Sequence, residues 1–155
     1  INQWTHFRHH LHRAIELAEK KFGRVKPAGV VWHQGESDAS HTRSIAEAYG
    51  ENLSSVLNGM RKESGDMTLP VVLGQISDSL MGRGKRQTTY PFGDIVKSAQ
   101  LEFTEQDQNA ALVTAPDDHG FIDAWHYDSQ TYIDLGYRFA DAMMELKTHS
   151  PSTSL

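Results

Sequence analysis

Three short apolar runs that do not alternate with polar residues constrain this chain most: Ala28 to Trp32 after Pro27, Leu69 to Ile76, and Ala110 to Ala115. Runs of this length and character read as buried strands of a parallel sheet, and the first suits a central strand covered on both faces. Around them the apolar residues recur at three and four. Phe7, Leu11, Ile15, Ala18 and Phe22 make a helical stripe from His6, with Gly23 placed to end it. Ile45, Tyr49, Leu53, Val56, Leu57 and Met60 make a second, from about Ser40 to Lys62, despite Gly50. Ile95, Ala99 and Phe103 mark a third helix over Asp94 to Gln106, and Tyr132, Leu135, Phe139, Met143 and Leu146 a fourth over Thr131 to Leu146.

The order αβαβαβα predicts a three-layer α/β/α fold, a parallel sheet between helices with right-handed crossovers. Three strands are few, because such sheets usually have about four to six. The expectation is that strands are missing upstream or that a partner covers an exposed edge. Residues 1–147 then read as part of one domain, and Thr148 to Leu155, with three Ser and one Pro, as a frayed tail. Ser77 to Gly93, rich in Gly and carrying Arg83, Lys85 and Arg86, reads as a loop long enough to serve as a lid or face a substrate.

Composition narrows the function classes. At 155 residues the chain has room for one domain, and its apolar and charged shares are those of a globular protein. A net charge of −5 argues against nucleic acid as a partner, and no apolar stretch approaches the 20 or so residues of a membrane span. With no Cys there is no disulfide scaffold, thiolate nucleophile or Cys-held metal, and the redox compartment stays open. The opening Ile1-Asn2-Gln3-Trp4 has neither an initiator Met nor the order of a signal peptide, so a processed, cloned or cut chain is expected.

In open parallel sheets ligands sit beyond the carboxyl ends of the strands. The first strand runs into His33-Gln34-Gly35-Glu36-Ser37-Asp38, and the third leads through Asp117, Asp118 and His119 to Asp123-Ala124-Trp125-His126. The spacing of Asp123 and His126 lets a carboxylate orient one imidazole nitrogen while the other faces substrate as a general base. The alternative is a turn residue followed by a polar residue near a helix start, with Asp128 or Ser129 as its cap. Gln34 can donate an amide N–H to an oxyanion and Gly35 can let a ligand approach its backbone; the competing reading is a tight strand-to-helix turn whose acids Glu36 and Asp38 favour the next helix start. Trp32 and Trp125 flank the two segments and could stack on sugar rings or simply fill the core. His6, His9, His10 and His12 have metal-like helical spacings, but without a completing carboxylate nearby in sequence they read as a solvated face. P-loop, G-x-S-x-G and H-E-x-x-H motifs are absent.

Trp32-His33-Gln34-Gly35-Glu36-Ser37-Asp38, together with Asp123-Ala124-Trp125-His126-Tyr127-Asp128-Ser129 and Leu135-Gly136-Tyr137-Arg138-Phe139-Ala140, resembles the SGNH-hydrolase superfamily. The branch is that of sialate O-acetylesterases and acetylxylan esterases of carbohydrate esterase family 6. The likeness runs from the first helix to about Leu146 and includes Leu69 to Ile76, which looks like the family's middle strand. It implies a carbohydrate O-acetylesterase acting on an acetylated sugar, with His126 as base of a Ser-His-Asp triad, Asp123 as its acidic partner, Gln34 as an oxyanion donor and Glu36 in a supporting or acidic role. Trp32, Gly35 and Trp125 would then contact substrate. No cofactor and no metal are expected, and a secreted or periplasmic location is favoured.

The departure is that the family's nucleophilic serine lies in a Gly-Gln-Ser-Asn block after its first strand, and no such block occurs here. Gly74-Gln75-Ile76-Ser77 is a superficial match in the wrong place, so neither Ser77 nor Ser79 is expected to be the nucleophile, and Ser37 reads as a capping or loop residue. The narrow sheet and the missing serine share one explanation: an upstream segment, or a second chain, supplies both. The alternative is a non-catalytic carbohydrate-binding or interaction module of the same fold.

Overall fold

In the computed structural model, which describes residues 2–77, 90–116, 119–123 and 126–149, the apolar runs become strands β1 (Val30–His33), β2 (Val71–Gly74) and β3 (Ala110–Val113). They form one parallel sheet in the order β1-β2-β3, with Val31 opposite Val72 and Val72 opposite Ala111. The first run is therefore not the central strand. That place belongs to β2, buried along all four residues, while β1 is an edge strand whose Val31 side chain is 55% exposed.

Among the described residues five helices accompany the sheet: α1 (Gln3–Phe22), α2 (Glu36–Ser40), α3 (Arg43–Ser64), α4 (Gly93–Gln106) and α5 (Ser129–His149). The helix expected from about Ser40 starts at Arg43 as α3, because Thr42 is extended and its hydroxyl caps α3 by accepting from the Ile45 N–H at 3.3 Å; the short α2 forms ahead of it, in the segment read as a strand-to-helix turn. Gly65 closes α3 in the left-handed conformation, φ 75°, giving its N–H to the carbonyls of Arg61 and Lys62. Thr148 and His149, expected in the tail, continue α5; residues 150–155 lie outside the described residues.

Alternation along β2 divides the core. Val71 and Leu73, with Ile76 beyond them, face Ala46, Tyr49, Leu53 and Leu57 of α3 and Val96 of α4. Val72 faces the other way, toward Leu135 of α5, with Phe139 and Met143 packed alongside. Helices thus cover both faces of the sheet, the layered α/β/α arrangement expected, and each fully buried Leu contributes roughly 1.5–3 kcal/mol. The expected stripes of α3, α4 and α5 lie in or against the core, with single departures at the starts of α3 and α5. Ala46 rather than Ile45 heads the buried side of α3, Val96 and Gln100 are buried in α4 beside the half-buried Ile95 and Ala99, and Thr131 replaces Tyr132 in α5. Phe22, expected on the stripe of α1, is exposed.

Arg61 locks the end of the sheet opposite the candidate site. It is buried, its Nε donates to the Leu69 carbonyl at 3.0 Å, and its Nη1 pairs with Asp107. The entries to β2 and β3 are thereby tied to α3.

Candidate active site

At the carboxyl end of β1 the chain turns sharply into α2. Gly35 makes that turn with φ 145°, and a Cβ there would come within 2.9 Å of Val96 Cγ1, so both conformation and space demand glycine. The Gln34 carbonyl accepts from the Tyr49 hydroxyl at 2.7 Å and from the Gln100 amide at 3.2 Å. Gln100 is wholly buried and its Oε1 accepts from the Ile76 N–H at 3.1 Å, so one side chain joins the ends of β1 and β2. Burial pushes the Tyr49 phenol up to about 12. Gln34's own amide donates to Asp38 at 2.9 Å, which leaves its second N–H uncommitted to that bond.

The second element is a small hairpin leading into α5. Phe121 and Tyr127 form an antiparallel bridge, and the Ile122 N–H donates to the His126 carbonyl at 3.1 Å. At its tip Asp123 holds His126 twice: Oδ1 accepts the backbone N–H at 2.7 Å and Oδ2 meets ring Nδ1 at 2.8 Å. A carboxylate accepts only, so Nδ1 carries the proton of that bond and Nε2 is left as the basic nitrogen. The hairpin is anchored at Gly120, whose N–H donates to the Thr131 hydroxyl at 3.0 Å and whose carbonyl accepts the Asp128 N–H at 3.0 Å. Asp128 caps α5 through the Thr131 N–H at 2.8 Å, and that backbone bond, with the Thr131 hydroxyl, holds its carboxyl below the usual range. The expected cap and the expected Asp-His pair therefore coexist.

The two elements meet in an open cleft of about 510 Å³ lined by Glu36, Ser37, Ser40, Tyr90, His126 and Tyr132. His126 and Glu36, far apart in sequence, share this cleft. Burial raises the phenols of Tyr90 and Tyr132, and the Glu36 carboxylate adds to both shifts. Gln34 and Gly35 lie just behind Glu36 without lining the cleft, and Trp32 packs against the core on the α3 and α4 side of the sheet. Trp125, Asp117, Asp118, Ser79 and the basic cluster of Arg83, Lys85 and Arg86 lie outside the described residues. Ser77 is buried and Ser40 donates to the Ser37 carbonyl at 3.0 Å; among the described residues no hydroxyl hydrogen-bonds to His126. On α1, His12 lies 3.2 Å from Glu63, which also pairs with Arg8 at 2.7 Å.

Sequence reasoning overlooked Gln100, Tyr49 as a hydrogen-bonding group, Tyr90 and Tyr132. A polar Gln four residues after Val96, on the apolar side of a helix, was the available signal for the first.

A family model described as carbohydrate esterase, sialic acid-specific acetylesterase, matches residues 1–145. No curated protein sequence matches. Among solved structures, a protein from Arabidopsis thaliana superposes with a TM-score of 0.67 at 25% identity, over 87% of this chain and 52% of its own. A carbohydrate acetylesterase from Xanthomonas citri superposes with a TM-score of 0.60 at 26% identity, over 77% of this chain and 26% of its own. The chain thus spans about half the length of the first of these structures and about a quarter of the second.

Proposed function

Because the chain belongs to the carbohydrate esterase family of sialic acid-specific acetylesterases, we propose that it carries the base and acid of a carbohydrate O-acetylesterase. Acetylated sugars such as acetylxylan or O-acetylsialate are the substrate class. The observation that carries this reading is the doubly bonded Asp123–His126 pair, which leaves the imidazole Nε2 basic at the edge of the cleft.

In the reaction, a serine hydroxyl attacks the acetyl carbonyl while His126 Nε2 takes its proton. The tetrahedral oxyanion is met by the Gln34 amide, which turns toward the cleft from Asp38, and the imidazolium is stabilised by Asp123 and by the negative charge of Glu36. His126 then protonates the sugar oxygen as the C–O bond breaks. Water, deprotonated by the same nitrogen, attacks the acetyl-serine and releases acetate. The serine comes from a segment outside these 155 residues, or from a second chain, that extends the sheet beyond β1. The exposed face of Val31 and the edge position of β1 support that placement.

The test compares the isolated chain with the natural full-length gene product on p-nitrophenyl acetate. The full-length product turns over in a manner blocked by a serine-directed phosphonate, and the isolated chain stays near the uncatalysed rate. Rapid, phosphonate-sensitive turnover by the isolated chain contradicts the placement of the serine. The second reading is a sugar-binding module without catalysis. Sugar binding without acetate release by the full-length product would establish it.

A further inference from the structure

Tyr132 is out of step with the helix that carries it. The inner side of α5 runs through Thr131, Leu135, Phe139 and Met143, while Tyr132, a large aromatic, is 46% exposed on the rim of the cleft that holds His126. Other apolar residues of the chain are more exposed, but among the described residues Tyr132 is the exposed aromatic whose ring lines the cleft with His126. The ring is also firmly held. The Tyr132 N–H donates to the Asp128 carbonyl at 3.1 Å in the first turn of α5, and its ring meets that of buried Tyr127 at 78° with centroids 5.8 Å apart. Tyr127 rests in turn on Phe121, at 5.1 Å, within the hairpin that presents His126. The exposed ring and the catalytic imidazole therefore stand on one scaffold.

Besides His126 and the buried Tyr90, the cleft is lined by Glu36, Ser37 and Ser40, polar residues suited to a ligand rich in hydroxyls. A pyranose ring has hydroxyls at its rim and an apolar face of C–H bonds, and that face is attracted to the π-surface of a rigid aromatic. The cleft's volume, about 510 Å³, lies in the range that encloses small organic ligands.

We propose that Tyr132 is the platform on which the sugar ring of the substrate stacks, so that its acetyl ester is presented to His126. The inference rests on the esterase reading and adds to it the residue that selects sugar esters over simple acetyl esters.

In the full-length gene product, kcat/KM is measured on acetylated xylo-oligosaccharide, on O-acetylated sialic acid and on p-nitrophenyl acetate. For the better sugar, the ratio of sugar ester to p-nitrophenyl acetate falls about tenfold in Tyr132→Ala, through KM, and returns in Tyr132→Phe, which keeps the ring. A ratio unchanged in Tyr132→Ala, or equally lost in Tyr132→Phe, overturns the proposal. Binding of the same sugars is measured by calorimetry in a His126→Ala background. Binding weakened about tenfold by adding Tyr132→Ala supports the platform even where the wild type releases no acetate, a result that would remove the esterase reading alone. Undiminished binding, or no binding of either sugar before Tyr132 is changed, overturns the platform whatever the rates.

Discussion

Asp123 grips His126 at two points, the backbone N–H at 2.7 Å and ring Nδ1 at 2.8 Å, so one carboxylate sets both where the imidazole stands and which of its nitrogens is basic. Asp123→Asn keeps the size of the side chain but removes its charge and can place an N–H against Nδ1, favouring the wrong tautomer. The expected result in the full-length product is a loss of about 10²–10⁴ in kcat with KM little changed, read by steady-state kinetics on p-nitrophenyl acetate. A loss in KM alone would mean that the pair binds substrate rather than orienting a base.

Spacing alone leaves Asp123 and His126 either as an oriented base or as a turn residue beside a helix cap, and the resemblance at Asp123-Ala124-Trp125-His126 points to the pair; the layered fold was legible because unalternated apolar runs have few uses outside a covered sheet. Less legible was what depends on rotation about an element. Periodicity fixes a helical stripe to within about one residue, which is why Ile45 and Tyr132 are exposed while Ala46 and Thr131 are buried. The central position of β2 is set by strand order, which no single run encodes. Gln100 escaped notice because a buried amide is intelligible only when its partners at Gln34, Tyr49 and Ile76, all distant in sequence, are known.

Gly35→Ala tests the turn between β1 and α2. A methyl group at φ 145° is strained, and it would press on Val96 and Ile76. A loss of about 1–3 kcal/mol in urea unfolding is expected, with a lower kcat because Gln34 and Glu36 move with the turn. Stability and kcat equal to wild type would show that the turn tolerates a side chain.

Asp107→Ala leaves Arg61 buried with its charge uncompensated. The predicted cost is about 3–5 kcal/mol, and exchanging both partners for apolar residues of similar volume recovers much of it. Urea denaturation of the single and double variants decides the point; a loss under 1 kcal/mol in the single variant, about what an exposed pair contributes, contradicts it.

Tyr49 is one source of the alkaline limb of stability, beside the phenols of Tyr90, Tyr127 and Tyr132, which burial also raises. Burial lifts the Tyr49 phenol from 10.0 to about 12, so the native state keeps a proton that the unfolded chain releases first. Its contribution is whole below pH 10 and is lost as pH rises through 12. Tyr49→Phe lowers stability near pH 7 by about 1 kcal/mol, through the lost bond to Gln34, and flattens the decline between pH 10 and 12. The part of the decline that remains belongs to the other raised phenols; an equally steep decline in the variant would show that Tyr49 contributes none of it.

The most direct test of the account is acetate release from an acetylated sugar by the full-length gene product, wild type against His126→Ala, with folding of both verified by circular dichroism. The account predicts wild-type release that falls by about three or more powers of ten in the variant while the fold is kept. Release by His126→Ala at a rate near that of the wild type would contradict the assignment of His126 as the base.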